Sequence, residues 1–258
     1  MLDNPAGMAT LDTISKRVPH IILSYWVIKI ASTTLGETGA DMFSMTFHLG
    51  YEHTILIFLA VFLALLAYKL ALGRYTPASY WLVFTATAIL GTGISDFMDR
   101  TLQLGYAWGS LILASALLVT LAAWYLSERS LSVEHIPTPR AELFYWAAFL
   151  VANTLGTAAG DYLADGLGLG FSDSAMLITG LLVATALAHW FTRIPGVLLF
   201  WVAFVLTRPF GATFGDLLTK PVSHGGLDLG TIGASTFFAL IMFTALLREA
   251  RMEKVRAD

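Results

Sequence analysis

Four aspartates recur at corresponding places in this 258-residue chain, each near the end of an otherwise apolar segment. They are separated by 55, 65 and 55 residues and are Asp41, Asp96, Asp161 and Asp216. A second acid, Glu37, precedes Asp41 by four residues, which places both carboxylates on one face of a helix. Acids in apolar segments are costly to bury and are typical of cation binding and proton relay. We therefore take these five carboxylates as candidates to bind or relay a small cation or protons.

Hydroxyl and amide side chains lie on the same helical face as the carboxylates. They are Thr33, Thr92, Asn153 and Thr157. Such oxygen ligands suit hard or borderline divalent cations, and Glu37 with Asp41 is the pair that could hold a metal ion. The same groups can pass a proton, so the sequence leaves both chemistries open. A structural role, in which an acid meets water or pairs with an arginine, is the alternative for each aspartate.

Two basic residues occur on this face within the apolar segments. Lys29 stands where the other three segments have phenylalanine, and Arg208 stands where they have threonine, alanine or asparagine. We expect both to be internal counter-charges of the acids. Pro209 follows Arg208 and predicts a kinked or unwound helix, as at many transporter binding sites. Five acids and two bases leave −5 + 2 = −3, an excess of carboxylate that predicts a bound cation or protons.

A fourfold internal repeat supplies the elements that would position these residues. Each repeat has an aromatic residue followed by tryptophan, with glycine ten residues and aspartate fifteen residues after the tryptophan, which is at positions 26, 81, 146 and 201. The first and third tryptophans are 120 residues apart, as are the second and fourth. The chain is therefore two similar halves, each made of two similar repeats. A second apolar segment follows each motif, near 54–72, 107–126, 175–191 and 229–247.

The repeats predict an all-α integral membrane protein of eight transmembrane helices, from four parallel two-helix repeats in two duplicated halves. Small residues four apart predict helix packing at Gly36, Gly91, Gly156, Gly160, Gly211 and Gly215. We expect the four motif helices to form a central bundle with their polar faces inward. The second helices would face lipid, and the tryptophans would lie at the cytoplasmic interface.

Composition supports this class. The chain is 57% hydrophobic and 13% charged, with a mean hydropathy of +0.71. It has no cysteine, which excludes disulfides and thiolate metal sites, and no motif for a nucleotide, a cofactor, a nucleic acid or an enzyme nucleophile. We expect no enzyme activity, no cofactor and no nucleic-acid partner.

Lysine and arginine distribution predicts that both termini are cytoplasmic. Residues 1–19 have no apolar core and no cleavage site, so we expect no signal peptide. The expected organisation has a cytoplasmic segment, a first half, a cytoplasmic linker, a second half and a cytoplasmic tail, at 1–19, 20–126, 127–142, 143–247 and 248–258. Arg100 and Lys220 fall on the outer side. The expected partners are the lipid bilayer and a small inorganic cation, and a homo-oligomer is compatible with the sequence.

With these repeats the chain resembles a bacterial family of uncharacterised integral membrane proteins, built from four tandem two-helix repeats of unknown function that each carry a tryptophan. The resemblance covers about residues 20–247 and implies eight transmembrane helices but no activity. The residues themselves favour a transporter of a small cation, with a divalent metal ion as the first candidate and proton coupling as one form. A channel with an acidic ring, an intramembrane enzyme or sensor, and a carrier of a small anion are the alternatives.

Overall fold

The structure is a computed structural model that describes residues 17–19, 23–133 and 136–257, apart from the side chains of Val197 and residues 252–257. Within these ranges it is helical, without strands. Most of the predicted segment 1–19 and part of the predicted linker lie outside the described residues. The eight long helices are α1 Leu23–Asp41, α2 Gly50–Leu72, α3 Pro77–Asp96, α4 Tyr106–Glu128, α5 Pro139–Asp161, α6 Gly170–Phe191, α7 Gly196–Thr219 and α8 Thr231–Ala257.

Threonine–proline pairs begin two of the motif helices. The Thr76 side chain accepts a hydrogen bond from the backbone N–H of Ser79 at 3.3 Å, and the Thr138 side chain accepts one from Ala141 at 3.0 Å. Pro77 and Pro139 occupy the first helical position, where a missing N–H costs nothing. The sequence thus fixes where α3 and α5 begin, and hence the depth of every residue along them.

A five-residue π-helical turn follows the repeated aspartate in the first three repeats, at Met42–Thr46, Phe97–Thr101 and Tyr162–Gly166. Each closes with a backbone bond over five residues, such as that from the Leu167 N–H to the Tyr162 carbonyl at 2.8 Å. In the fourth repeat the helix stays α-helical, and the Lys220 N–H bonds to the Asp216 carbonyl. The wider turn re-aims the residues after the aspartate, and turns of this kind often lie at functional sites.

The four motif helices form a closed ring in which α1 packs on α3, α3 on α5, α5 on α7, and α7 on α1. One glycine of each helix makes each contact close. A Cβ on Gly36 would lie 2.5 Å from that of Ala88, and one on Gly211 would lie 2.7 Å from the Thr33 Oγ1. The other predicted packing glycines, Gly91, Gly156, Gly160 and Gly215, are at similar approaches to the next helix of the ring.

Gly91→Ala is expected to lower the free energy of unfolding by about 1–3 kcal/mol, because the new Cβ overpacks a backbone contact. That Cβ would lie 2.9 Å from the backbone nitrogen of Thr154. The matched control is Gly180→Ala on an outer helix, where a Cβ meets nothing within 4 Å. Thermal unfolding in detergent should show a lower midpoint for the first variant and an unchanged or higher one for the second. Equal midpoints would contradict the close approach.

The second helix of each repeat lies outside the ring, against the motif helix of the next repeat rather than its own. Helix α2 packs along α3, α4 along α5 and α6 along α7, and α8 closes the cycle on α1. No repeat is therefore a self-contained unit. The two halves of the chain also interlock, because α4 of the first half covers α5 of the second, and α8 of the second covers α1 of the first.

Among the described residues, seven of the eight long helices are long and apolar enough to cross a membrane. The exception is α1, which carries Lys29, Glu37 and Asp41. The outer helices expose large apolar side chains around their circumference; Leu118 and Val119 of α4 are each 69% exposed. Such surfaces suit contact with hydrocarbon rather than water.

Trp81 and Trp146 are 0% and 1% exposed inside an aromatic cluster, because neighbouring helices cover the ends of α3 and α5. Their depth at the cytoplasmic interface stays a prediction. Of the two forms predicted for α7 at Pro209, unwinding is wrong, because the helix continues from Gly196 to Thr219. Packing of α1 and α5 against this stretch holds the helical backbone despite the missing N–H.

Candidate functional site

The polar face of each motif helix points to the axis of the ring and forms successive layers along it. We call the level of Lys29 the aromatic layer and the level of the four aspartates the aspartate layer. Between them lies the central cluster, made of Glu37, Thr92, Thr157 and Arg208. These side chains are at most 3% exposed. The layers arise because the polar residues of each motif helix are spaced four apart, which keeps them on the one helical face that points to the axis.

Arg208 is the centre of the central cluster. Its Nη1 lies 3.4 Å from Glu37 Oε2 and donates to the Thr33 carbonyl at 3.3 Å. Its Nη2 donates to the hydroxyls of Thr92 and Thr157, the latter at 2.6 Å, and to the Ala88 carbonyl at 3.3 Å. Because these partners come from α1, α3 and α5, one guanidinium from α7 ties the whole ring together.

Glu37 is the acceptor that the central cluster surrounds. Thr92 donates to its Oε2 at 3.1 Å and Thr157 does so at 3.5 Å, in addition to the contact with Arg208. The two threonine hydroxyls are 3.4 Å apart. The prediction that Arg208 pairs with an acid is confirmed, and the acid is Glu37. The hydroxyls of Thr92 and Thr157, from the predicted polar face, bind the same carboxylate.

Three of the four aspartates in the aspartate layer have cationic partners. Lys220 Nζ lies 2.6 Å from Asp41 Oδ2 and 3.2 Å from Asp216 Oδ1. Arg100 Nε lies 3.2 Å from Asp96 Oδ1. Burial alone would lower the pKa of Lys220, but the carboxylates of Asp216 and Asp41 outweigh it, and the pKa is raised above its ordinary value.

Arg100 and Lys220 were not among the predicted site residues, because they were assigned to the outer loops. Both follow a repeated aspartate by four residues, and this spacing in the sequence could have identified them. They reduce the excess of carboxylate. The central cluster and the aspartate layer together hold five acids and three cations, which are Arg100, Arg208 and Lys220. The charge count made from the sequence included neither Arg100 nor Lys220.

Asp161 is the exception in the aspartate layer. It is 3% exposed, and its Oδ2 has no hydrogen-bond partner among the residues that the structure describes. The ion pairs of the other three aspartates have no counterpart here within the same residues. Burying an unpaired carboxylate is costly unless it takes up a proton or a cation. Asp161 is therefore the acid in the aspartate layer whose carboxylate is available to bind a proton or a cation.

The aromatic layer closes the other end of the axis. The rings of Phe149 and Phe204 are 4.6 Å apart, and those of Phe84 and Phe149 are 5.6 Å apart. Lys29 Nζ lies 3.9 Å from the centre of the Phe204 ring and donates to Thr207 Oγ1 at 2.6 Å. Lys29 is thus not brought to the carboxylates, as a counter-charge would be. Its ammonium instead occupies the axis among aromatic rings.

Two predicted polar residues make structural bonds between neighbouring helices. Asn153 donates from Nδ2 to Thr87 Oγ1 at 2.8 Å, and Thr33 donates to the Thr207 carbonyl at 3.3 Å. Neither side chain hydrogen-bonds to a carboxylate among the described residues. The predicted metal pair, Glu37 and Asp41, is also divided between different partners, Arg208 and Lys220. In the described part of the chain, no three His, Asp or Glu side chains form a group that could hold a metal ion.

The repeat pattern is also found by comparison with known families. The family described as Repeat of Unknown Function (DUF347) matches four times, at residues 24–75, 79–130, 144–194 and 199–254. The chain belongs to this family. Each match covers one motif helix and the outer helix that follows it. A family repeat is therefore a unit of sequence, whereas the packing unit pairs helices of successive repeats. No curated protein and no solved structure matches the chain.

Proposed function

We propose that this protein is an integral membrane protein of eight transmembrane helices that moves a small cation along the axis of its ring. The observation that carries the proposal is the excess of buried carboxylate on that axis, above all the unpartnered Asp161. Ionisable groups inside a membrane protein are costly and mark ion pathways by default. Here they are lined up on the inward face of all four motif helices, while the outer helices present apolar surfaces.

Several features support a protein that spans the membrane and the orientation that we propose for it. Seven helices meet the length and composition needed to cross a bilayer, and the polar α1 lies in the ring, covered by α8. The excess of lysine and arginine on the side of the termini favours an orientation with both termini cytoplasmic. The resemblance to a bacterial family favours the inner membrane as the location. The aspartate layer would then lie near the outer surface and the aromatic layer near the cytoplasm.

The interlocked outer helices bear on the mechanism. One half cannot rock against the other as a rigid body without breaking the contacts of α4 on α5 and of α8 on α1. Passage along the axis of a continuous ring requires only local rearrangement of the aromatic layer and the central cluster. The interlocked helices therefore favour a relay or a channel as the mechanism. An alternating-access carrier is the less favoured alternative.

The experiment is cation flux into vesicles reconstituted with the purified full chain. A panel of sodium, potassium, magnesium, manganese and protons would be compared with protein-free vesicles. We expect at least one cation to cross much faster in the presence of the protein. Flux of chloride or phosphate with no cation movement would favour the anion carrier, and the absence of any flux would overturn the proposal.

A further inference from the structure

We propose that the cation is the proton, that Asp161 is its outer binding site, and that Glu37 is the next carboxylate on its path. This inference rests on the proposed function and names its substrate. The reaction is a simple transfer: hydronium gives a proton to the Asp161 carboxylate and leaves as water. An O–H bond forms on the carboxyl oxygen, and no electron is exchanged.

The number of free ligands distinguishes a proton from a metal ion. A proton needs one oxygen, whereas calcium or magnesium takes about six or more oxygen ligands. In the aspartate layer only Asp161 has no ion-pair partner within the described residues, and its Oδ2 accepts no hydrogen bond there. Lys220 pairs with Asp41 and Asp216, and Arg100 pairs with Asp96. A metal ion would have to displace these buried ion pairs to gain ligands. A proton displaces none of them.

A second buried polar group without a partner lies on the helix that packs against α5. The Ser95 hydroxyl is 0% exposed and has no hydrogen-bond partner among the described residues. Ser95 occupies the repeat position of Gly160 and Gly215, which approach the next helix at Ala212 and Glu37. By this equivalence its hydroxyl faces α5 at the level of Thr157, one helical turn below Asp161. A hydroxyl there can donate to or accept from a travelling proton.

The central cluster continues the path inward. Thr157 follows Asp161 along the same helical face, and its hydroxyl lies 3.5 Å from Glu37 Oε2 and 3.4 Å from the Thr92 hydroxyl. Hydroxyls and carboxylates at these separations can exchange protons through small rotations. Below them, the ammonium of Lys29 and three phenylalanines fill the axis. The aromatic layer offers neither the space nor the anionic ligands that a hydrated metal ion needs, whereas a transferred proton needs neither.

The test is proton influx in reconstituted vesicles containing a trapped pH-sensitive dye, driven by a potassium diffusion potential set with valinomycin. The medium contains potassium, choline and buffer, without divalent ions. The variants are Asp161→Asn, Asp161→Glu and the matched control Asp173→Asn, which changes an exposed acid on an outer helix. Wild type and the control should acidify the interior about tenfold faster than protein-free vesicles, and Asp161→Asn should not exceed the protein-free rate. Asp161→Glu, which keeps the carboxyl group, should retain influx.

Each other outcome is decisive. Influx through Asp161→Asn at the wild-type rate would overturn the assignment of the site. Loss in both Asp161→Asn and Asp161→Glu, with both proteins folded by gel filtration, would make Asp161 structural and also overturn it. Movement of sodium or manganese by wild type without a pH change would overturn the proton as substrate while leaving cation transport intact. The absence of flux for every cation would overturn both.

Discussion

Arg208→Met is expected to destabilise the protein by about 3–5 kcal/mol, because it leaves the buried Glu37 carboxylate without its cationic partner. The change also removes the donor to the Thr92 and Thr157 hydroxyls. The midpoint of thermal unfolding in detergent should fall sharply, with loss of the monodisperse peak on gel filtration.

The matched control is Lys29→Met, which removes another fully buried cation from the same axis. Lys29 has no carboxylate partner within the described residues and lies among phenylalanine rings that accommodate a methionine. We expect its unfolding midpoint to stay close to that of wild type. The double variant Arg208→Met with Glu37→Gln should recover much of the stability lost by Arg208→Met alone, because no unpaired charge remains. Equal losses for Arg208→Met and Lys29→Met would contradict the special role of the Arg208–Glu37 pair.

Glu37→Gln is expected to abolish cation flux and also to lower the unfolding midpoint, because the buried Arg208 guanidinium loses its carboxylate partner. Flux is therefore measured below that midpoint, on protein that is folded by gel filtration. The amide can still accept hydrogen bonds from Thr92 and Arg208, but it cannot take up a proton. We expect influx to fall to the protein-free rate, because removing the acid–base group removes a step of the relay. Vesicle influx measurements check this, with Glu52→Gln, an exposed acid at the start of α2, as the control. Full flux in Glu37→Gln would show that the path bypasses the central cluster.

The sequence allowed the repeated architecture to be predicted well. The tryptophan, glycine and aspartate recur without gaps, so the four repeats, the eight long helices and the inward polar face could be read from the spacing. The glycines identified the contacts of the ring for a simple reason. A helix contact too close for a Cβ requires glycine, and this requirement is visible in the sequence. Gly36, Gly91, Gly156 and Gly211 each lie ten residues after the tryptophan of their repeat.

Other features leave no such trace. Nothing in the sequence distinguishes an outer helix that covers its own motif helix from one that covers the next, since both arrangements bury the same residues. The π-helical turns after Asp41, Asp96 and Asp161 pack against outer helices, and these tertiary contacts leave no mark in the sequence. The charge pairing was only partly visible. Arg100 and Lys220 follow aspartates by four residues. That Lys220 also reaches Asp41, on the neighbouring helix α1, follows only from closure of the ring.

Lys29 illustrates a different limit. A lysine in place of a phenylalanine on the acidic face suggested a counter-charge, yet α1 places it in the aromatic layer, too deep to reach an acid. Depth along the axis decides which charges meet. Arg208 is four residues further along its own helix than the aromatic layer, and this single turn is enough to reach Glu37.

The most direct measurement of an axial path uses the absence of cysteine from the chain. Ala212→Cys places one thiol on the axis at the level of Glu37, and Gly180→Cys places one on an outer helix as the control. Both would be treated with methyl methanethiosulfonate, a small uncharged reagent that can enter apolar regions, before the flux measurements. The account predicts that the axial cysteine is modified and that flux then stops, while the outer variant keeps its flux. Wild-type flux through the axial variant after complete modification, or flux with no modification of the axial cysteine, would contradict passage along the ring.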